Sequence, residues 1–251
     1  MSTIYIMWLR QVKRYLRSRS RIIGALGQPI LYLLALGYGL GQVFARAGQG
    51  NYMEFLVPGV IGMSVLFTSM FNGVEMIWDR QFGFLKETMV APVSRFNIML
   101  GRVLGGATVA TFQGLIVFIL SFGVGFRMPM SHPAGYVLSG VFFMFLMALF
   151  FTALGTGIAS LLTDFQGFQL IMSFVVMPTY FLSGAIFPLD HLPSLMSYIT
   201  RIDPLTYGVD GLRGSLILSN HFSLGLDFLI MAALCLLMLS VGSYLFSQIE
   251  V

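Results

Sequence analysis

The chain has 251 residues, of which 57% are hydrophobic and only 10% charged, and its mean hydropathy is +0.86. A soluble domain of this size carries about 25% charge, so a water-soluble globular fold is excluded. The formal charge of +4 and pI near 9.4 argue for nucleic acid only if position is ignored, because six of the fourteen basic residues precede residue 22 and four more lie between Arg80 and Arg102, as in cytoplasmic segments facing anionic lipid.

The first twenty-one residues carry charge throughout and lack the short apolar core of a signal peptide. On a helix they divide into two sides. Ile4, Tyr5, Trp8, Leu9, Val12, Tyr15 and Leu16 fall on one, and Arg10, Lys13, Arg14, Arg17 and Arg21 on the other. That pattern predicts an N-terminal amphipathic helix lying in the membrane interface, either as a lipid anchor or as a lever touching a cytoplasmic partner.

Six apolar runs follow, each near the roughly 20 residues needed to cross a ~30 Å hydrocarbon core: Ile22–Phe44, Pro58–Trp78, Val103–Phe126, Tyr136–Leu162, Phe168–Phe187 and Leu224–Phe246. The fold class is therefore an all-α membrane protein with six transmembrane helices. With the N-terminus in the cytoplasm, an even number of spans returns the C-terminus there. Ten basic residues are then inside, and four (Arg46, Arg127, Arg201 and Arg213) outside. Cys235 lies mid-span, cannot form an internal disulfide, and reads as an apolar packing residue.

The second span carries Thr68, Asn72, Glu75 and Asp79 at helical spacing, one polar stripe near its cytoplasmic end. Carboxylates are expensive in lipid. Two readings stand: Thr68, Asn72 and Glu75 form a vestibule wall that meets substrate or passes protons, or Glu75 is paired with Arg80 or Arg102 at the interface. An ionised Glu75 in that wall favours a cationic headgroup.

Residues 79–95 form a cytoplasmic loop too long for a tight turn. Phe84, Leu85, Thr88 and Met89 recur at helical spacing beside Lys86 and Glu87, and Pro92 ends the piece. A short amphipathic helix with exposed apolar residues is expected there, as a partner's docking surface or folded back on the bilayer. Gly101, Gly105, Gly106, Ala110 and Gly114 in the third span, and Gly155 with Ala159 in the fourth, give the four-residue spacing of close helix contact. Residues 163–167 separate the fourth and fifth spans by a tight hairpin.

Pro178 predicts a kink about halfway along the fifth span. The breaker-rich segment from Ser183 to Gly214 cannot be a simple seventh span, and non-helical backbone at membrane depth must be buried or line a cavity. A half-inserted pair of short helices on the outer face over 188–220 is the expectation. Asp227 reads as a boundary residue of the last span. His132, His191 and His221 lack metal-ligand spacing and read as structural or solvated. No catalytic constellation shares one face.

The motifs Phe84-Leu-Lys-Glu-Thr-Met-Val-Ala-Pro-Val-Ser-Arg95, Ser183-Gly184-x-x-Phe187-Pro188-Leu189-Asp190-x-Leu192-Pro193 and Asp203-Pro204-Leu205-Thr206-Tyr207-x-Val209-Asp210-Gly211-Leu212-Arg213 together resemble the membrane subunit of type-2 ABC exporters. More narrowly, they resemble the daunorubicin-resistance permeases and nodulation-factor exporters. The likeness covers nearly the whole chain in order. It implies a single permease domain over 1–251 in the plasma membrane, working as a dimer (with itself or with a sister chain) alongside two ABC ATPase subunits.

By matching positions, the resemblance makes Phe84, Leu85, Lys86, Glu87, Thr88, Met89 and Val90 the coupling helix seated in an ATPase groove. It makes Met1–Arg17 a cytoplasmic connecting helix. Ser183, Gly184, Phe187, Pro188, Asp190, Pro204, Tyr207, Asp210 and Arg213 fall in the motif of the external re-entrant helices. Such families often carry Glu near position 80, where this chain has Asp79-Arg80.

The chain has no nucleotide-binding loop, since neither of its two lysines, Lys13 and Lys86, ends a Gly-x-x-x-x-Gly-Lys-Ser/Thr run. ATP and Mg are therefore expected on the partner ATPase and no cofactor on this chain. The implied function is export of an amphipathic substrate: a drug, a lipid or a lipo-oligosaccharide. The competing function is an ion-coupled secondary transporter using Glu75, although no repeat relates the two halves.

Overall fold

The computed structural model describes residues 2–46, 50–90, 92–128, 134–162, 164–189 and 193–249, with the backbone alone at Lys86 and Ala134. Its described elements are all helical: α1 (Thr3–Arg17), α2 (Arg19–Arg46), α3 (Tyr52–Gln81), α4 (Phe84–Val90), α5 (Arg95–Gly123), α6 (Ala134–Leu161), α7 (Phe165–Ile171), a π turn (Met172–Val176), α8 (Met177–Leu182), α9 (Ser194–Ile202), α10 (Pro204–Ile217) and α11 (Leu224–Ser247). Six segments are long and apolar enough to cross a membrane: α2, α3, α5, α6, α11 and the composite α7–α8.

The middle of the bundle is α3, packed on α2, α5, α6 and α10. Small residues set its crossing with α6: a Cβ on Gly73 would stand 2.4 Å from the Gly155 carbonyl oxygen. Without a hydrophobic force between helices in lipid, such backbone approach supplies the packing. Gly101 and Gly105 do the same on another face of α5, where a Cβ would meet the Ile4 carbonyl and Gln11 of α1.

Five spans begin earlier than their apolar runs, α3 and α5 by the most. Asn51 accepts from Met53 N at 3.0 Å and starts α3 seven residues before Pro58, which the helix then contains. Ser94 caps α5, which runs through Arg102 because that arginine is buried against a carboxylate rather than left facing lipid. The fifth span is divided where Pro178 removes a backbone donor, and the π turn lies just before it. Asp164 caps α7 by accepting from Gly167 N at 2.6 Å, forming the expected break after α6.

Arginine side chains gather several helix ends at one end of the bundle. Arg80 donates to the Leu162 carbonyl beyond the C-terminus of α6 at 3.2 Å. Arg95 donates to the Ser247 and Ile249 carbonyls at the C-terminus of α11, at 2.5 and 3.0 Å. Cations are favoured at such ends. The α3–α4 turn, the α6–α7 turn, the start of α5 and the end of α11 therefore share one end, as the even span count requires. Cys235 is buried and its Sγ donates to the Leu146 carbonyl at 3.2 Å, the packing role expected of it.

Candidate functional site

At that shared end, α1 lies along α5 with Met7, Gln11 and Tyr15 buried as one stripe. Trp8 Nε1 donates to Thr108 Oγ1 at 3.0 Å, and the Tyr15 hydroxyl donates to the Gln113 side chain. Burial pushes the Tyr15 hydroxyl up to about 12. This docking turns the arginine side of α1 toward α3 as well as outward.

The polar stripe of α3 meets those arginines. Asp79 accepts from Arg10 at 3.1 Å and is ion-paired with Arg102 at 2.8 Å and Arg14 at 3.6 Å. Glu75 is bonded by Arg21 and lies 3.6 Å from Arg14. Arg21 also donates to Asn72 Oδ1 at 2.8 Å, and Asn72 Nδ2 donates to the Gly106 carbonyl at 3.1 Å. Burial lowers the Arg10 guanidinium from its ordinary value; Asp79 opposes that shift and Arg102 adds to it. Arg102 was an anticipated partner for Glu75, but it pairs with Asp79. Glu75 takes arginines from the N-terminal segment, whose placement sequence spacing alone could not supply.

Beside this cluster α2 and α3 splay apart around a cavity of about 510 Å³, within the usual range for ligand sites. Its wall is largely apolar, Pro29, Met63 and Phe67 included, with Tyr15, Arg21, Gln28, Ser64, Thr68 and Glu75 as its polar side chains. Thr68 and Glu75 of the predicted stripe line it. Asn72 does not, and acts behind Arg21. Arg21 and Trp78 belong to the lining and were not singled out as substrate contacts from the sequence.

The short helix α4 forms as expected, but with a different inner face. Leu85 is only 2% exposed and packs into the bundle core, while Phe84 lies beneath the Arg10 guanidinium at 3.6 Å from its ring centroid. Thr88 Oγ1 bonds back to the Phe84 carbonyl at 2.9 Å, and Met89 is partly buried. The outward groups are Glu87, Val90 and the preceding Phe82, with Val90 and Phe82 82% and 84% exposed. Leu85 is thus a seat for the helix rather than an exposed apolar residue.

The opposite end holds the second motif. Ser183 Oγ accepts from Ala185 N at 3.3 Å, and Gly184 turns the chain with φ of 76°. Arg213 donates to the Gly184 carbonyl at 3.0 Å and stacks on Phe55 at 3.9 Å, so this arginine is buried rather than solvated. Pro204 opens α10 after Asp203, which caps it through Leu205 N at 2.9 Å; burial pushes the Asp203 carboxyl up to about 7 against that bond. Tyr207 donates to the Arg201 carbonyl at 2.6 Å.

Asp210 accepts from His221 N and Phe222 N at 2.8 and 2.7 Å, closing the turn into α11. Asp227, at the expected boundary position in the first turn of α11, is fully buried beside it. Phe187 is 56% exposed and Pro188 is half-buried. Asp190, His132 and His191 lie outside the described residues. No group of three or more His, Cys, Asp or Glu able to hold a metal occurs among the described residues.

The ABC-2 type transporter family model matches residues 2–217. The chain belongs to the ABC-2 type transporter family. The match takes in the arginine cluster, the cavity and α4, and ends with α10. Among relatives of this ABC-2 chain, a transport permease, ycf38, of Cyanophora paradoxa is 30% identical over 197 residues, 76% of this chain and 66% of the relative. Nodulation protein J of Rhizobium leguminosarum bv. trifolii is 28% identical over 211 residues, 83% of this chain and 76% of that protein. The inner membrane transport permease YadH of Escherichia coli strain K12 is 27% identical over 213 residues, covering 82% and 80%. The ABC-2 resemblance carried by the three sequence motifs is thus borne out.

Proposed function

We propose that this chain is the membrane subunit of an ATP-driven exporter in the plasma membrane. It works with two copies of a separate ABC ATPase and a second permease subunit, either itself or a sister chain. It carries an amphipathic drug, lipid or lipo-oligosaccharide outward from the cytoplasm or inner leaflet. The observation that carries the reading is the contact of α4 with the cluster beside the cavity: Phe84 packs under Arg10, Arg10 holds Asp79, and Glu75 one turn away lines the cavity. A push on α4 has a short mechanical and electrostatic route to the cargo site.

ATP and Mg sit on the partner in this reading, and α4 presents Glu87 and Val90 to it, with Phe82 from the turn before. The second permease covers α2, α7 and the π turn, where Gly24, Gly27, Gln28, Gln166, Gln169 and Ser173 are exposed. Small and polar side chains facing outward at membrane depth favour a neighbouring helix over lipid. α9 exposes Leu195, Tyr198 and Ile202 and α10 has 14 residues, about 21 Å of helix, too short to span. They fit re-entrant and interfacial positions on the outer face.

The orientation is the testable premise, because an ATPase reaches α4 only if that end is cytoplasmic. Single cysteines at Ser94 and Ser194 in a Cys235→Ser background are both placed at exposed positions. A membrane-impermeant maleimide added to intact cells is expected to label the Ser194 site and leave the Ser94 site unmodified until the membrane is opened. Labelling of the Ser94 site from outside would sink the reading.

A further inference from the structure

Resting on the cavity as the cargo route, we infer that the exporter's cargo carries an acidic headgroup on its apolar body. The sequence alone suggested the reverse, since Glu75 would draw a cation. In the folded chain Glu75 stands on the cavity wall but is less open to a guest than the arginines that pair with it. Its side chain is 4% exposed, whereas those of Arg21 and Arg14 are 30% and 39% exposed. The carboxylates and Arg102 are inside, and the Arg14 and Arg21 guanidiniums are outside.

The charge balance agrees. Arg10, Arg14, Arg21 and Arg102 surround Glu75 and Asp79, so four positive charges meet two negative ones. Guanidiniums present fixed forks of donors to phosphate and carboxylate, and Arg21 sits on the cavity wall itself. From Glu75 to Met63, at the far end of the same wall, is twelve residues of α3, about 18 Å of mainly apolar surface. An acidic head at Arg21, with the charge of Arg14 behind the wall 3.6 Å from Glu75, and an alkyl chain laid toward Met63 and Pro29 satisfies both ends. Free phosphate satisfies only one. A resident anionic phospholipid is the other source of this chemistry, and the proposal commits to a transported guest.

The chain has two tryptophans, and only Trp78 lines the cavity, one helical turn from Glu75. In a Trp8→Phe variant its fluorescence therefore reports an occupant's head. The permease in phosphatidylcholine nanodiscs is titrated with dodecyl phosphate, dodecyltrimethylammonium and dodecyl maltoside, each brominated near the headgroup. Saturable quenching by the phosphate is expected at a concentration about tenfold below that of the cation. Arg14→Gln with Arg21→Gln removes the difference, Arg21→Lys keeps it, and Arg17→Gln, an exposed arginine off the cavity, leaves it unchanged. Glu75→Gln leaves or tightens phosphate binding.

Equal concentrations for the two charged heads, or a preference that survives the double arginine change, overturn the acidic head while sparing the cavity as the route. Absence of saturable quenching by every amphiphile overturns the route and the proposal together. If phosphatidylglycerol nanodiscs abolish quenching that excess dodecyl phosphate cannot restore, a resident lipid fills the site and the transported guest is refuted.

Discussion

Asp79→Leu is expected to destabilise the protein by roughly 3–5 kcal/mol, the cost of leaving a buried charge without its partner. Arg102 is the reason. Its side chain is 3% exposed and its guanidinium lies 2.8 Å from Asp79, so removal of the carboxylate strands it inside the bundle. Arg102→Leu should cost less, because Asp79 keeps Arg10 at 3.1 Å and Arg14 at 3.6 Å. The double change to Leu at both positions should recover much of the loss, since an apolar pair replaces an ion pair without an orphaned charge. Helicity followed by circular dichroism through a denaturing-detergent titration measures all three. A loss under about 1 kcal/mol for Asp79→Leu, the size of an exposed pair, would show that the cluster is solvated.

Val90→Asp is expected to leave the permease folded and to abolish its association with the ATPase. Val90 is 82% exposed, and surface changes usually move stability by no more than about 0.5 kcal/mol. Buried in a partner's groove, the new carboxylate would cost roughly 3 kcal/mol or more, over a hundredfold in affinity. Leu85→Asp gives a contrasting result. Because Leu85 is a core residue, that change should unseat α4 and lower the unfolding midpoint along with partner binding. Affinity chromatography of the co-expressed pair, with unfolding measured on each variant, separates the two effects. Normal ATPase recovery with Val90→Asp would remove α4 from the interface.

What sequence could supply here follows from how local each signal is. Span length and the breaker-rich segment after Phe187 are properties of short windows, so six spans and the two short helices α9 and α10 were legible. The stripe of Thr68, Asn72, Glu75 and Asp79 was also legible, as helical spacing on one element, and all four are buried. The partners of that stripe were not. Arg10 and Arg14 reach it where Gly101 and Gly105 let α1 settle on α5, a contact between residues nearly a hundred positions apart, and Arg21 reaches it from the first turn of α2. The same docking decides that Leu85 faces in and Val90 out, which a seven-residue amphipathic helix leaves open. Asp227 does stand at the start of the last span, but its full burial under Asp210 and the α10–α11 turn was hidden for a similar reason.

Flux of a fluorescent amphiphile in proteoliposomes, compared with and without the ATPase subunit, tests the exporter reading most directly. The ATPase must be on the side that labels with the Ser94 site. Movement away from that side is expected only with ATP and an ATPase whose Walker A lysine is intact, and an imposed proton gradient should not replace ATP. Flux by the permease alone, driven by a proton gradient and lost in Glu75→Gln, would contradict an ATP-driven exporter and make this chain an ion-coupled carrier.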